Sequence, residues 1–406
     1  MKTYIKIAWR NLWRNTRRTL ITSASIFFGM FFAVLMTSLQ QGSFENMVDN
    51  MVRFYSGYLQ VQEEGFKKNR GVNQSFIPND EFISALNSNP LITQSTSRIE
   101  SFALAASDNN SSGSLLFGIE PANEEAISGL SKWVKEGEFL APNSKDVLLG
   151  KTLAQNLNLG VNDTVILIGQ GYHGVSTAGV YRIAGLLDFP LPALSKQIIY
   201  MEIKNCQEYL NMPKRITSTV IMVANPDDVE KAEQSLSSLV KDDLKLYTWK
   251  ELQPELINLI EGKEASGIVI KSLLFMIIGF GDWATIIMLM NERKRELGVM
   301  IALGMRKAKL FTVVLLESFF IALIGIAAGL AVSIPLSTYL FLNPIYVTGK
   351  MAETYTSMGF EPVIKFSAQP DIFIIPSLII FIMFAIISLY QLMFIAKLNT
   401  VKAMRP

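Results

Sequence analysis

Few side chains in this sequence have the type and spacing that catalysis or metal binding requires. The chain has one histidine, His173, and one cysteine, Cys206. A single imidazole and a single thiol do not make a metal site, and one histidine offers no choice of partners for a serine–histidine–aspartate triad. The sequence also lacks Gly-x-Ser-x-Gly, His-Glu-x-x-His and Cys-x-x-Cys. We therefore predict a non-catalytic protein without a metal, with His173 in a Gly-rich turn.

Two acidic residues, Asp282 and Glu317, stand inside apolar runs. A carboxylate at the centre of a bilayer costs about 2.5–3.5 kcal/mol on insertion scales, so each must face a partner or a cavity. Three interpretations of Asp282 stay open: a structural pair or protonated acid, a coupling element between membrane helices, and a proton pathway. If Asp282 matters, the variant Asp282→Asn loses activity at normal expression. We interpret Glu317 as an acid that packs between helices.

These acids belong to apolar segments that are long enough to cross a membrane, which takes about 20 residues for a core about 30 Å thick. We predict four spans, over 20–40, 266–290, 310–342 and 372–396. The first is longer than the apolar region of a signal peptide, which has roughly 7–15 residues. The predicted fold class is a membrane α-helical protein with four transmembrane helices and a large α+β domain, residues 41–265, between the first two.

The distribution of lysine and arginine predicts the orientation in the membrane. The segments 1–19, 291–309 and 397–406 must share one side, and together they contain 15 Lys and Arg against two Asp and Glu. Residues 41–265 contain 19 Lys and Arg against 28 Asp and Glu. We therefore predict that both termini are cytoplasmic and that residues 41–265 and the loop 343–371 lie on the far side.

Residues 41–265 alternate short β-like runs with helical stretches, and they contain no repeat. Predicted strands include 58–62, 114–117, 164–168, 197–200 and 219–223, and predicted helices include 80–87, 151–157, 205–210 and 226–240. Carboxylate pairs such as Glu124 and Glu125 fall in polar surroundings, and we interpret them as solvated surface.

In the loop 188–194, Phe189 precedes the first of two prolines and Leu191 lies between them. The loop is either a rigid connection or an exposed, protruding element that contacts a partner protein. The residues that such a partner would meet are Phe189, Pro190, Leu191 and Pro192.

The segment between the second and third spans begins with Asn291-Glu-Arg-Lys-Arg-Glu-Leu-Gly-Val-Met-Ile-Ala-Leu-Gly304. On a helix, Glu292 and Glu296 stand one turn apart, which predicts a short amphipathic helix. Such a helix lies on a membrane surface or docks in a groove of a partner protein. The residues alone favour neither alternative.

This charged segment resembles the Glu-Arg-x-Arg-Glu-(Ile/Leu)-Gly…Ala-Leu-Gly motif of the FtsX-like permeases, a family that includes the MacB efflux pump and the LolC and LolE lipoprotein-releasing subunits. Further stretches are similar to the family's first cytoplasmic helix, periplasmic domain and C-terminal ending: Ala8-Trp-Arg-Asn-Leu-Trp-Arg-Asn-Thr-Arg-Arg-Thr-Leu20, Phe117-Gly-Ile-Glu-Pro121, Val147-Leu-Leu-Gly-Lys-Thr-Leu-Ala-Gln-Asn-Leu-Asn-Leu-Gly160 and Lys397-Leu-Asn-Thr-Val-Lys-Ala-Met-Arg405. The sequence departs from the pattern at Ile301, where Arg or Lys is usual, and at Thr400, where Pro is common.

The resemblance implies an amphipathic cytoplasmic helix in 1–19, a MacB-like periplasmic domain in 41–265 and a coupling helix in 291–309 that sits in a cleft of a cytoplasmic ATPase. The residues to which the coupling role carries over are Glu292, Arg293, Arg295, Glu296 and Gly298. The chain contains no Gly-x-x-x-x-Gly-Lys-Ser/Thr for binding ATP. We therefore expect no cofactor on this chain, and ATP and Mg²⁺ on a separate LolD-like ABC ATPase.

By the same resemblance, the chain is the permease subunit of an ATP-driven ABC transporter of the mechanotransmission type in a bacterial inner membrane. It would work with a second copy or a homologous permease. We expect it to release lipoproteins, which are lipid-anchored proteins, to a periplasmic lipoprotein carrier. The alternatives are MacB-like efflux of a periplasmic substrate and FtsX-like regulation of periplasmic cell-wall hydrolases.

An acylated substrate that entered between spans one and two would follow a path lined by Ile26, Met30, Leu273 and Met276. These positions are otherwise ordinary packing or lipid-facing residues. Gly325 and Gly329 form Gly-x-x-x-Gly, a spacing that lets two helices approach closely. This motif marks a dimer contact or occurs by chance.

Overall fold

The computed structural model describes residues 2–14, 16–189, 192–237, 240, 243–357 and 361–399. Its helices are α1 (Lys2–Arg14), α2 (Thr16–Met51), α3 (Phe66–Asn69), α4 (Asp80–Ser88), α5 (Pro121–Ser128), α6 (Lys151–Leu157), α7 (Pro192–Ser195), α8 (Ile203–Tyr209), α9 (Val229–Ser237), α10 (Trp249–Leu252), α11 (Pro254–Glu292), α12 (Lys294–Ala302), α13 (Lys307–Leu342), α14 (Lys350–Ser357) and α15 (Asp371–Lys397). Its strands are β1 (Leu59–Glu63), β2 (Ile92–Ala106), β3 (Ser111–Ile119), β4 (Val134–Gly137), β5 (Val147–Gly150), β6 (Thr164–Gln170), β7 (Ser176–Leu187), β8 (Ile198–Glu202), β9 (Ser218–Val223), β10 (Leu244–Thr248), β11 (Ile345–Tyr346) and β12 (Val363–Ile364).

The elements fall into two compact units. The helical unit consists of Met1–Asn46, Ile260–Tyr346 and Val363–Pro406. The α/β unit consists of Met47–Leu259 and Val347–Pro362. Each unit has a hydrophobic core of its own.

Among the described residues, four helices are long and apolar enough to cross a membrane: Thr19–Ser56, Pro254–Glu292, Lys307–Leu342 and Asp371–Lys397. They confirm the predicted fold class. The first two extend well beyond the predicted apolar runs because polar residues continue the helix; α2, for example, reaches Met51. Large apolar side chains on the outer faces stay exposed, as expected for helices that lie in lipid; Ile277 and Ile386 are examples.

Small residues let α13 lie directly against α2. A Cβ atom added at Gly325 would lie 2.7 Å from the Cβ of Ile26, and one at Gly329 would lie 2.7 Å from the Cβ of Met30. Both distances are too short for real contacts, so only glycine fits. The two glycines therefore let α13 pack against α2 within one chain. This packing explains the Gly-x-x-x-Gly spacing without a dimer contact.

The α/β unit is built on a mixed sheet of ten strands, in the order β10-β1-β9-β2-β3-β8-β5-β7-β4, with β6 paired to β2 and β7. The pairs β3–β8 and β5–β7 are parallel and the other pairs are antiparallel. β2 has 15 residues and contacts β9, β3 and β6 in turn. All five residues of β8 are buried, as in a strand covered on both faces.

The two faces of this sheet carry separate apolar cores. Leu149 and Ile199 contribute to one core, whereas their neighbours Leu148 and Ile198 contribute to the other. This alternation follows from the two-residue period of a strand.

Two predictions for this unit are wrong. Phe189 is not exposed: only 4 % of it is accessible, and its ring packs edge-on against Phe54 with centroids 5.4 Å apart. Packing an aromatic ring into an adjacent apolar core removes its apolar area from water, which stabilises the fold more than leaving the ring exposed. Pro190 and Leu191 lie outside the described residues, and Pro192 begins α7. Glu124 is not solvated surface either, because it is fully buried in an ion pair with Arg98.

Candidate functional site

The charged segment after α11 folds into the short helix α12. Its start is marked by Arg293, whose φ of −90° and ψ of 1° interrupt the helical path. Its end is marked by Gly304, which has a φ of +93°. The Gly304 N–H donates to the Ile301 carbonyl at 3.0 Å and the Met305 N–H donates to the Met300 carbonyl at 3.1 Å. This pair of bonds is a Schellman motif, so the Ala-Leu-Gly sequence fixes where α12 ends.

Arg293 points into the helical unit, where it meets Glu317 of α13. Its Nη1 donates to Oε2 of Glu317, and its Nη2 donates to Oε1 at 3.3 Å. Asn11 of α1 donates from Nδ2 to the same Oε1 at 2.6 Å. The Glu317 carboxylate therefore accepts hydrogen bonds from α1 and from the start of α12.

A second carboxylate extends this network toward the surface. The Oε2 atom of Glu296 lies 3.5 Å from Nε of Arg293, and its Oε1 lies 3.2 Å from Nη2 of Arg14. The pair Arg14–Glu296 is largely exposed, whereas the side chains of Arg293 and Glu317 are 12 % and 7 % exposed. Burial alone lowers the pKa of Arg293, but the hydrogen bond and the charge of Glu317 outweigh it, and the pKa of the guanidinium lies above its usual value.

The predicted coupling residues separate into two groups. Glu292 and Arg295 are exposed, while Arg293 turns inward and Gly298 is buried. Glu296 is exposed too, and it binds Arg14 and Arg293.

The outward face of α12, which we define as Arg295, Val299 and Leu303, follows the four-residue spacing of one helix side. Leu303 is 83 % exposed. Exposed apolar side chains beside a charge suit a helix that lies on a membrane surface or docks in a groove of a partner protein. The sequence analysis missed Val299 and Leu303, although their spacing from Arg295 was visible.

A cavity of about 40 Å³ borders the Arg293–Glu317 pair. Gln391 of α15 reaches Ser318 there, and its Nε2 donates to the Ser318 Oγ at 2.6 Å. The Oε1 atom of Gln391 has no hydrogen-bond partner among the described residues. The volume is enough for a few water molecules, each of which needs about 10–15 Å³.

Asp282 lies deep in the helical unit and is fully buried. Ser25 of α2 donates from Oγ to Oδ1 of Asp282 at 3.1 Å, and Oδ2 has no partner among the described residues. The acid thus joins α11 to α2. Its coupling role and its role in a proton pathway stay predictions.

The four residues of the predicted substrate path do not share one surface. Ile26 and Met30 are completely buried against Gly325 and Gly329. Leu273 and Met276 are each more than half exposed. Small residues on α13 thus bring that side of α2 into helix packing, and the substrate path stays a prediction.

The remaining candidate metal ligands are Cys206 and His173. Cys206 is buried and burial raises the pKa of its thiol. His173 is in the predicted turn, with a φ of +56°. The described residues contain no group of three or more His, Cys, Asp or Glu side chains that would hold a metal ion.

Comparison with known proteins adds two family matches. Residues 19–239 match the MacB-like periplasmic core domain, and residues 268–400 match the FtsX-like permease C-terminal region. The chain belongs to the family of FtsX-like permeases that carry a MacB-like core domain. It is an ABC transporter permease of the MacB/LolC/FtsX type.

Individual relatives are distant. The chain is 22 % identical over 332 residues to the lipoprotein-releasing system transmembrane protein LolC of Xylella fastidiosa, which covers 78 % of each chain. It is 23 % identical over 335 residues to the macrolide export ATP-binding/permease protein MacB of Aggregatibacter actinomycetemcomitans, covering 78 % of this chain and 50 % of MacB. The crystal structure of the periplasmic region of MacB from Actinobacillus actinomycetemcomitans matches with 17 % identity and a TM-score of 0.36, covering 52 % of this chain and 98 % of that one.

Proposed function

We propose that this chain is the permease subunit of an ATP-driven transporter that releases lipoproteins from the membrane in which it sits. The observation that carries the proposal is the match to LolC, which extends over 78 % of both chains. The ATP and Mg²⁺ bind a separate LolD-like ATPase in this proposal, and a second copy or a homologous permease completes the transporter.

The outward face of α12 supports the ATPase part of the proposal. An exposed leucine and valine next to Arg295 combine apolar area with a charge, as a helix that docks in a protein groove requires. The excess of Lys and Arg in 1–19, 291–309 and 397–406 supports a cytoplasmic position for α12 and both termini in this proposal. ATP hydrolysis then moves α12, α12 moves the spans, and the substrate is released on the far side, to a carrier protein.

Efflux of a small molecule is the second candidate. It is favoured by relatives that are named for export: MacB, and the pyoverdine export protein PvdT of Pseudomonas syringae, which is 23 % identical over 84 % of this chain. Both are ATP-binding/permease proteins, and this chain spans about half of each.

Depletion in the native host separates the two candidates. The membranes are fractionated by density, and acylated proteins are quantified in each fraction. Lipoprotein release predicts that lipoproteins build up in the membrane that contains this permease as it is depleted. An unchanged lipoprotein distribution together with increased sensitivity to exported compounds would contradict release and support efflux.

A further inference from the structure

The buried pair Arg293–Glu317 is the feature of the helical unit that the proposed function does not yet use. Both side chains are nearly inaccessible, and both carboxylate oxygens of Glu317 accept from Arg293. A buried ion pair gains little stability over well-packed apolar residues because desolvation offsets the attraction. Its presence between membrane helices therefore calls for a reason other than stability.

The position of Arg293 gives that reason. It stands at the break between α11 and α12, and its carbonyl accepts the Leu297 N–H at 2.9 Å. Arg293 is thus bonded into the first turn of α12 and moves when α12 moves. Its charged end is held by Glu317, which lies about ten residues into α13, or about 15 Å along that helix at 1.5 Å per residue.

The other ionic contact of α12 cannot transmit the same force. Arg14 and Glu296 are 63 % and 45 % exposed, and exposed pairs with long side chains hold their geometry weakly. The pair Arg293–Glu317 is largely buried, bonded at two oxygens, and fixed from a third direction by Asn11. It is the stiffer of the two links.

We infer that Arg293 and Glu317 are positioning residues that transmit the displacement of α12 to α13 during the transport cycle. The inference rests on the proposed function, in which an ATPase moves α12. In this role the pair contacts neither nucleotide nor substrate. Its loss leaves ATP hydrolysis running while transport fails.

The test compares ATP hydrolysis and lipoprotein release in proteoliposomes that contain the permease and its ATPase. Glu317→Gln is expected to lower the lipoprotein released per ATP at least fivefold, with ATP hydrolysis within twofold of wild type. Arg293→Lys keeps the charge but loses the paired contact, so we expect an intermediate decrease in the lipoprotein released per ATP. This variant replaces Glu317→Gln in the test if Glu317→Gln does not fold. Asp49→Asn is the matched control, because Asp49 and Arg53 form an exposed pair within one stretch of chain.

A second readout does not depend on the substrate. Spin labels are attached to cysteines introduced at Ala302 of α12 and Leu323 of α13, both exposed positions, while the native Cys206 is buried. The distance between the labels should stay the same with and without ATP in the wild type, and its distribution should broaden in Glu317→Gln.

The two readouts separate failure of the inference from failure of the proposed function. Unchanged release per ATP and an unchanged label distance in Glu317→Gln would overturn the inference, as would an equal loss in Asp49→Asn. A wild-type protein that hydrolyses ATP with its partner but releases no lipoprotein would contradict the proposed substrate. In that case the label distances still decide whether the pair links α12 to α13.

Discussion

A buried arginine–carboxylate pair occurs in each unit, and the two pairs differ in their surroundings. In the α/β unit, Arg98 of β2 donates to both carboxylate oxygens of Glu124 of α5, at 2.9 and 2.6 Å, and to the Tyr55 carbonyl at 2.6 Å. Their side chains are 1 % and 0 % exposed. In the helical unit, Arg293 lies at the break between α11 and α12, Glu317 lies inside α13, and a cavity borders the pair.

The comparison shows that ion pairs of the same chemistry serve different purposes. The Arg98–Glu124 pair is enclosed by a sheet and a helix, so neither partner can move without leaving a charge unpaired. The Arg293–Glu317 pair retains some access to water and joins a short helix to a long one. The first is suited to a fixed domain, and the second is suited to an element that moves.

The largest effect is expected when the enclosed pair is broken. Glu124→Gln leaves the Arg98 charge buried without its counter-charge, which should lower the free energy of unfolding of the α/β unit by about 3–5 kcal/mol. Chemical unfolding of the detergent-solubilised protein, followed through Trp133, measures this loss. A loss below about 1 kcal/mol would mean that the pair is less enclosed than its 1 % and 0 % exposure indicates.

Breaking the pair at the helix junction should cost less stability. Glu317→Gln keeps a hydrogen-bond acceptor for Arg293, and Glu296 and the adjacent cavity compensate the remaining charge. We expect a loss of about 1.5–3 kcal/mol, the range for a hydrogen bond to a charged group. Thermal unfolding of Glu317→Gln and Glu124→Gln in the same detergent gives the comparison, and equal losses would remove the distinction between the two pairs.

A substitution at the close contact between α2 and α13 tests whether the helical unit is packed as tightly as the α/β unit. Gly325→Ala introduces a Cβ 2.7 Å from that of Ile26, so the helices must separate, at a cost of about 1–3 kcal/mol. Gly262→Ala is the control, because a Cβ there meets no atom within 4 Å and alanine favours a helix. Thermal unfolding should show destabilisation for the first and none for the second; the same shift for both would contradict the close packing.

The smallest effect concerns Glu100, which neighbours the enclosed pair. Burial raises the pKa of the Glu100 carboxyl, while Arg98 and Arg70 act in the opposite direction. Because the folded protein holds this proton more tightly, the contribution to stability is present below the unfolded pKa of about 4.5 and is lost as pH rises through the folded pKa. Glu100→Gln should therefore gain stability relative to wild type as pH rises above 4.5. Unfolding curves at several pH values measure the gain, and a gain that shrinks with pH would reverse the sign.

Much of the fold was predictable because hydropathy records which segments leave water, either for lipid or for a protein core. The predicted third and fourth spans, 310–342 and 372–396, lie within a few residues of α13 and α15. The predicted helix 151–157 matches α6. Periodicity and propensity are local properties, and these elements depend on them.

The partners of buried side chains were not predictable in the same way. Arg293 meets a carboxylate 24 residues away, and Arg98 meets one 26 residues away. Spacing along the sequence does not show which helices and strands lie side by side. For this reason the sequence does not reveal that Arg293 turns inward, that Glu124 is buried or that Phe189 packs against Phe54.

The central claim is that the outward face of α12 binds an ATPase. The most direct measurement is a pulldown of the detergent-solubilised protein from its native membrane, with mass spectrometry of the proteins that copurify, for wild type and Leu303→Asp. The account predicts an ABC ATPase with wild type and its loss with Leu303→Asp, at equal expression and equal thermal stability. If no ATPase copurifies with wild type under mild conditions, or if it copurifies equally with Leu303→Asp, the claim is contradicted.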